Sequence, residues 1–147
     1  MTRIEIFDIS DWLDAIEALA VLHRDEAEAE LTELPVSLWR DGYAAMQDMG
    51  ALVCVGAFVG EVMVGYATAI VSQHLHYPMV VGNHDLLFVH RDYRAPRLAL
   101  RMVEMVEEVC KDKGAVMMTW HAKLDSAFER LMGSRARREE IVYIKEL

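Results

Sequence analysis

The stretch from Asn83 to Gly114 constrains the fold most: it reads as a buried strand, a tight arginine-bearing turn and one long helix. Asp85, Leu86, Leu87, Phe88 and Val89 form a short apolar run with one carboxylate, of a length that suits a strand better than a helix. His90 to Ala95 turn the chain, and Pro96 stands where a first helical residue tolerates a missing N–H. Leu98, Met102, Met105 and Val109 then recur at helical spacing beside Ala99, Val103, Val106 and Cys110, so one wide face is apolar. Lys111 and Lys113 suit the negative end of a helix dipole and Gly114 can close it, which predicts a helix from Pro96 to Lys113.

The charges at the start of that helix oppose its stability. A helix N-terminus is partly positive and favours anions, yet Arg91, Arg94, Arg97 and Arg101 cluster there. Arg97 and Arg101 alone, as like charges four residues apart, cost about 0.2–0.5 kcal/mol. Free backbone N–H groups, the dipole and guanidinium groups together would make a phosphate or pyrophosphate site. The alternative is that these arginines are solvated and pair with Asp92 and Glu104.

With 147 residues and no linker, repeat or low-complexity segment, the chain is expected to form one domain over residues 1–147. At 54% hydrophobic residues and a mean hydropathy of +0.13, it is globular rather than disordered. A net charge of −9 disfavours nucleic acid and anionic membranes as partners and favours a cationic substrate. Cys54 and Cys110 lie in apolar runs and read as buried thiols, which points to a reducing compartment. With no signal peptide and no apolar run long enough to span a bilayer, the expectation is a soluble, cytoplasmic protein.

Taken in order, Arg3 to Phe7 alternate as a first strand, and Ser10 is the expected N-cap of a helix running to His23. Arg24 to Glu33, with Asp25, Glu26, Glu28, Glu30 and Glu33, reads as a solvated helix extension or loop. Pro35 and Ser37 are expected to begin a second helix that Gly50 ends, with Trp39 and Tyr43 sharing a core-facing side. Ala51 to Val59 and Glu61 to Val71 form a hairpin around Gly60-Glu61. Met79 to Val89 is the fourth strand, expected to bulge near Gly82-Asn83. Ala115 to Trp120 is a fifth strand, Ala122 to Met132 a helix, and Ile141 to Ile144 a last strand.

Alternation along the fourth strand puts Asn83, Asp85, Leu87 and Val89 on one face and His84, Leu86, Phe88 and His90 on the other. Asp85 stands out, because a carboxylate inside an apolar strand is almost never buried without a partner. An arginine or capped backbone groups would supply a purely structural one. His74, His76, His84 and Asp85 approach a metal-ligand set, but no further His or Cys follows at a recognised spacing, so no metal is expected.

Phe88 to Ala99 resembles the pyrophosphate-binding segment of the GNAT N-acetyltransferase family, an apolar strand leading to Arg/Gln-x-x-Gly-x-Gly/Ala at a helix start. Arg94 matches the first motif position and Ala99 the last, while Arg97 stands where the family usually has glycine and Pro96 removes one backbone donor. Gly65-Tyr66-Ala67 loosely matches a stretch on the family's third strand. Phe128-Glu129-Arg130-Leu131 resembles the family's Tyr-Glu-Lys-Leu, with Phe128 in place of the tyrosine that is a candidate acid for the CoA thiolate. Arg97 and the Met-rich, compact chain are similar to bacteriophage-encoded members.

The resemblance implies an α/β fold with a mixed, mostly antiparallel sheet, helices on both faces, and fourth and fifth strands that splay apart. Acetyl-CoA would be the cosubstrate in that V. Backbone at Leu87, Phe88 and Val89 would hold its pantetheine arm, and Arg94, Ala95, Arg97, Leu98 and Ala99 its diphosphate, with Phe128 beside the thiol. Asp85 would act as general base for the attacking amine, with His84 as runner-up. The acceptor would be a small-molecule amine or a protein lysine or N-terminus, with the acidic Arg24–Glu33 segment as a rim for it. Homodimers are common among relatives. A second class of function is a GNAT-fold module without catalysis, sensing CoA or binding protein, which Phe128, Arg97 and Pro96 motivate.

Overall fold

The computed structural model describes residues 1–147, in the order β1 (Arg3–Ile6), α1 (Ile9–His23), α2 (Arg40–Asp48), β2 (Leu52–Val59), β3 (Val62–Gln73), β4 (Val80–Val89), α3 (Leu98–Asp112), β5 (Ala115–Thr119) and α4 (Ala127–Gly133). The strands make one five-stranded sheet in sequential order. Short connections keep β1 through β4 antiparallel or bring them back through a helical crossover, whereas α3 returns the chain so that β5 lies parallel to β4. This is the mixed α/β architecture expected.

Both faces of the sheet are covered, which explains why β2 and β3 are apolar almost throughout rather than alternating. Val53, Val55, Ala67, Val89, Met102 and Val106 fill one core between the sheet and α3. Ile16, Leu19, Leu52, Phe58, Tyr66 and Phe88 fill the other, beneath α1 and α2. The β2–β3 turn closes in two residues, with Gly60 at φ +57°, the left-handed value that a tight hairpin asks of its first central residue. Gly65 lets β3 press against β4: a Cβ there would lie 2.8 Å from the Phe88 carbonyl oxygen.

Several local expectations are corrected. Asp8, not Ser10, caps α1, its carboxylate accepting the Ser10 N–H. The second helix begins at Arg40 rather than near Pro35, and Trp39 at its start is exposed, its indole lying over Gly42 instead of in the core. The fourth helix starts at Ala127 behind a Ser126 cap rather than at Ala122. Ile141 to Ile144 form no strand and stay exposed, because the preceding tail is tied to α3 by Arg135, 3.5 Å from Glu104 and 3.7 Å from Glu107. Cys54 and Cys110 are both buried and free.

Candidate active site

The site grows from the point where β4 and β5 part. Their ladder covers only Val80 to Asn83 on β4, ending at the pair Asn83–Thr119, while β4 continues to Val89. A ring cluster occupies the fork. The His84 imidazole lies 5.0 Å from the Trp120 ring and 5.9 Å from that of Phe128, and its Nδ1 accepts the His121 N–H at 3.3 Å. A side chain thus takes over where the backbone ladder stops.

Beyond the fork, β4 presents an open edge. The His90 N–H donates to the Val64 carbonyl at 2.8 Å, and donors alternate along an antiparallel ladder, so the Phe88 N–H also points into the sheet. The Leu87 and Val89 N–H groups therefore point the other way, into the gap left by β5. Arg94 Nε, bonded to the Val89 carbonyl at 3.0 Å, reports the same orientation.

The bulge in β4 sits at Asp85, not at Gly82-Asn83: Thr68 pairs with Leu86 and the next β3 residue, Ala69, with His84. The extra residue resets the alternation. Asp85 joins Leu86 and Phe88 on the α1–α2 side, while His84 stays with Gly82 and Leu87 on the α3 side, a correction to strict alternation. Asp85 and His84 thus leave opposite faces of one strand.

Asp85 is exposed, and its Oδ2 accepts the buried Thr68 hydroxyl at 2.9 Å. No arginine or lysine pairs with it. Burial first and the Asp85 carboxylate second push the Tyr43 hydroxyl up to about 12. The same two causes, with Tyr43 between them in weight, raise Tyr66, whose buried hydroxyl has no partner. Tyr66 and Thr68 were not anticipated, although a polar Thr68 within an apolar strand facing a polar Asp85 is a signal two strands could have given together.

His84 is only 8% exposed. Burial, then the neighbouring His121, drive its imidazole down to about 4, so it is neutral near pH 7. The unfolded chain would take up this proton near the model-peptide value of about 6.5. Between pH 6.5 and 4 the unfolded state therefore binds more protons than the folded one, and stability falls as pH falls. A loss of up to about 3 kcal/mol is expected across that window. Urea midpoints measured against pH check it, and the slope should shrink in His84→Asn.

The arginine turn is divided. Arg94 is drawn back towards α1, paired with Glu26 and with its guanidinium carbon 5.7 Å above the Phe88 ring. Glu26 belongs to a π-helical turn, Arg24–Glu28, that continues α1 and carries the acidic segment to the β4–α3 loop. Together they border a cavity of about 390 Å³ lined by Leu22, Asp25, Glu26, Phe88, His90, Arg91 and Asp92. Arg91 lies 3.7 Å from Asp92. Arg97 and Arg101 have no acidic partner, since Glu104 pairs with Arg135 instead.

Arg97 caps α3 at φ +67°, a left-handed conformation that a side chain opposes. α3 accordingly begins at Leu98, two residues later than expected. The Leu98 N–H is used by the Ala95 carbonyl, but those of Ala95, Arg97, Ala99 and Leu100 find no acceptor within the chain. They are four donors on one turn, next to two unpaired guanidinium groups. Of the residues expected at the site, the structure brings Leu87, Val89, Ala95, Arg97 and Ala99 along one path from the fork to the turn, with His84 and Phe128 at its closed end. Phe88 turns its N–H and its ring away, and Arg94 is engaged by Glu26.

A model of the acetyltransferase (GNAT) family matches residues 16–133. Among solved structures, the chain is similar to an aminoglycoside acetyltransferase, HMB0005, from an uncultured soil metagenomic sample, with TM-score 0.78 and 13% identity over 100% of this chain and 98% of that one. It is also similar to glucosamine-6-phosphate N-acetyltransferase from Arabidopsis thaliana, with TM-score 0.73 and 15% identity over 99% and 98%. A third is AAC(6')-Iy in complex with the bisubstrate analog CoA-S-monomethyl-acetylneamine, with TM-score 0.72 and 14% identity over 100% and 99%. At such identities the likeness is one of fold. No curated protein sequence matches the chain. Nothing in these comparisons supports a bacteriophage-type subgroup.

Proposed function

The chain belongs to the acetyltransferase (GNAT) family, and from that premise we propose that it transfers acetyl from acetyl-CoA to a primary amine by direct attack, acting as one domain in the cytoplasm. The observation that carries the reading is the open edge of β4. Leu87 and Val89 aim two N–H groups into the gap beside β5, and the same path runs on to the free donors at the start of α3.

Those residues fit acetyl-CoA. An extended amide-bearing arm can add to a strand edge as a further strand does. A diphosphate suits four unpaired N–H groups at a helix start with Arg97 and Arg101 beside it. When bound, acetyl-CoA supplies an activated acetyl group and a sulfur leaving group. The chain holds the reactants together, and a strand N–H pointing into the cleft stabilises negative charge on the carbonyl oxygen.

Asp85, on the opposite face of β4, accepts the proton of the attacking amine. A lysine-like amine has a pKa of about 10.4, so keeping it neutral at pH 7 costs about 4.6 kcal/mol, and a nearby base offsets part of that. Asp25 and Glu28 on the π-helical turn, with a net charge of −9 overall, favour a cationic acceptor, either a small polyamine-like molecule or a protein lysine or N-terminus. Calorimetry with acetyl-CoA and CoA, followed by thiol release across a panel of amines, tests the reading. Binding of neither ligand, or binding with no release for any amine, favours the second one: a CoA-sensing or protein-binding module. Phe128, which has no hydroxyl, and the occupied Arg94 are what support that alternative.

Arg97→Gly separates two roles of one residue. Relief of the left-handed backbone is expected to add about 1 kcal/mol of stability and a few degrees to Tm. Loss of the guanidinium is expected to weaken CoA roughly tenfold, as for one charged hydrogen bond. Thermal melts and calorimetry should therefore move in opposite directions.

A further inference from the structure

His84 holds a polar atom that its structural role leaves unexplained. As the wedge where β4 and β5 part, it needs only Nδ1, which accepts the His121 N–H at 3.3 Å. That bond fixes the neutral ring with its proton on Nε2. Nε2 is buried and makes no hydrogen bond of ordinary geometry, although the Leu86 backbone weakly favours a proton on the ring. An unpaired buried donor is unfavourable.

We propose that the His84 Nε2–H is the hydrogen-bond donor that stabilises the sulfur leaving group of the acetyl donor. The inference rests on the acetyltransferase reading above. The ring lies among Trp120, His121 and Phe128, next to the last β4–β5 pair, Asn83–Thr119, and an acetyl donor laid along the β4 edge from α3 would bring its thioester end towards it. Among the neighbouring groups the His121 ring, 5.8 Å from that of His84, is exposed to solvent instead of being enclosed in the cluster. Trp120 Nε1–H is committed to Glu107 at 3.2 Å, Phe128 carries no hydroxyl, and Tyr143 is exposed on the tail. An imidazole held down at about 4 is a poor base near pH 7 but remains a neutral donor.

The step balances without a covalent enzyme intermediate. The amine nitrogen bonds to the acetyl carbonyl carbon, the C–S bond breaks, and its electron pair leaves on sulfur. The amine proton passes to Asp85 and on to solvent. His84 keeps its own proton, and the sulfur takes one from solvent on release.

The direct readout is the pKa of the CoA thiol bound to the protein, followed by the ultraviolet absorbance of the thiolate. In the wild type it is expected to lie about one unit below that of free CoA, a tenfold gain in thiolate. His84→Asn, which keeps an acceptor for the His121 N–H, should return it to the free value and lower kcat at least tenfold, with KM for acetyl-CoA within about twofold. His84→Gln, whose amide reaches towards the Nε2 position, should restore most of both. An unshifted thiol in wild-type protein that binds CoA and releases thiol to an amine would overturn the role of His84 and leave the acetyltransferase reading intact. That wild-type measurement decides the matter even if neither variant folds. Failure to bind CoA, or to acetylate any amine, would remove both.

Discussion

Asp85→Ala is expected to lower amine-dependent thiol release by well over tenfold while CoA affinity stays within about twofold. The asymmetry follows from placement. The bulge turns Asp85 to the α1–α2 side, away from the strand edge and the α3 turn proposed to hold CoA, so its removal leaves those contacts standing. Its one partner is the Thr68 hydroxyl, which donates to Oδ2, and no cationic side chain pairs with it, so Oδ1 is open to an incoming amine. Asp85→Asn keeps an acceptor for Thr68 but cannot take a proton, and should be as slow as the alanine variant. Unchanged turnover in both would remove Asp85 from the mechanism and return the carboxylate to a structural partner of Thr68.

Met102→Ala is expected to cost about 3 kcal/mol and roughly 10 °C in Tm. Met102 is fully buried on α3, among Val53, Val55, Ala67 and Val106, so truncation leaves a cavity in the core that clamps α3 to the sheet. Met102→Leu conserves most of the volume and should cost less than about 1.5 kcal/mol. Denaturant melts distinguish the two. Equal losses would mean that the helix is not held by packing at this position.

Much of the site's scaffold was legible because it is local. Spacing alone set Leu98, Met102, Met105 and Val109 on one apolar face with Val103, Val106 and Cys110 beside them; Leu98, Met102, Val103, Val106 and Cys110 are buried, and Met105 and Val109 are half-buried at its edge. Gly60 marks a hairpin because few other residues adopt its backbone angle. The arginine turn advertised itself by placing positive charge where a helix disfavours it. Arg97 was visible as a departure from the family's glycine, and its left-handed backbone supplies the reason for that glycine.

What was hidden depends on partners distant in sequence. Arg94 meets Glu26 across a separation of 68 residues, so no window of the chain could assign that arginine to an acid rather than a phosphate. Trp39 had the spacing of a core residue and finds no core to enter, since the helix that would have carried it begins one residue later. Ile141 to Ile144 have the composition of a strand, but a strand needs an edge to pair with, and Arg135 anchors the preceding chain to α3 instead.

The residues alone determined that a strand, a turn and an amphipathic helix would follow one another from Asn83 to Gly114, because side-chain periodicity and backbone preference act within a few positions. Only the tertiary structure decided which way Asp85 and His84 face. One extra residue in β4 exists only by comparison with the partner strand, and that single step moves a carboxylate from one side of the sheet to the other.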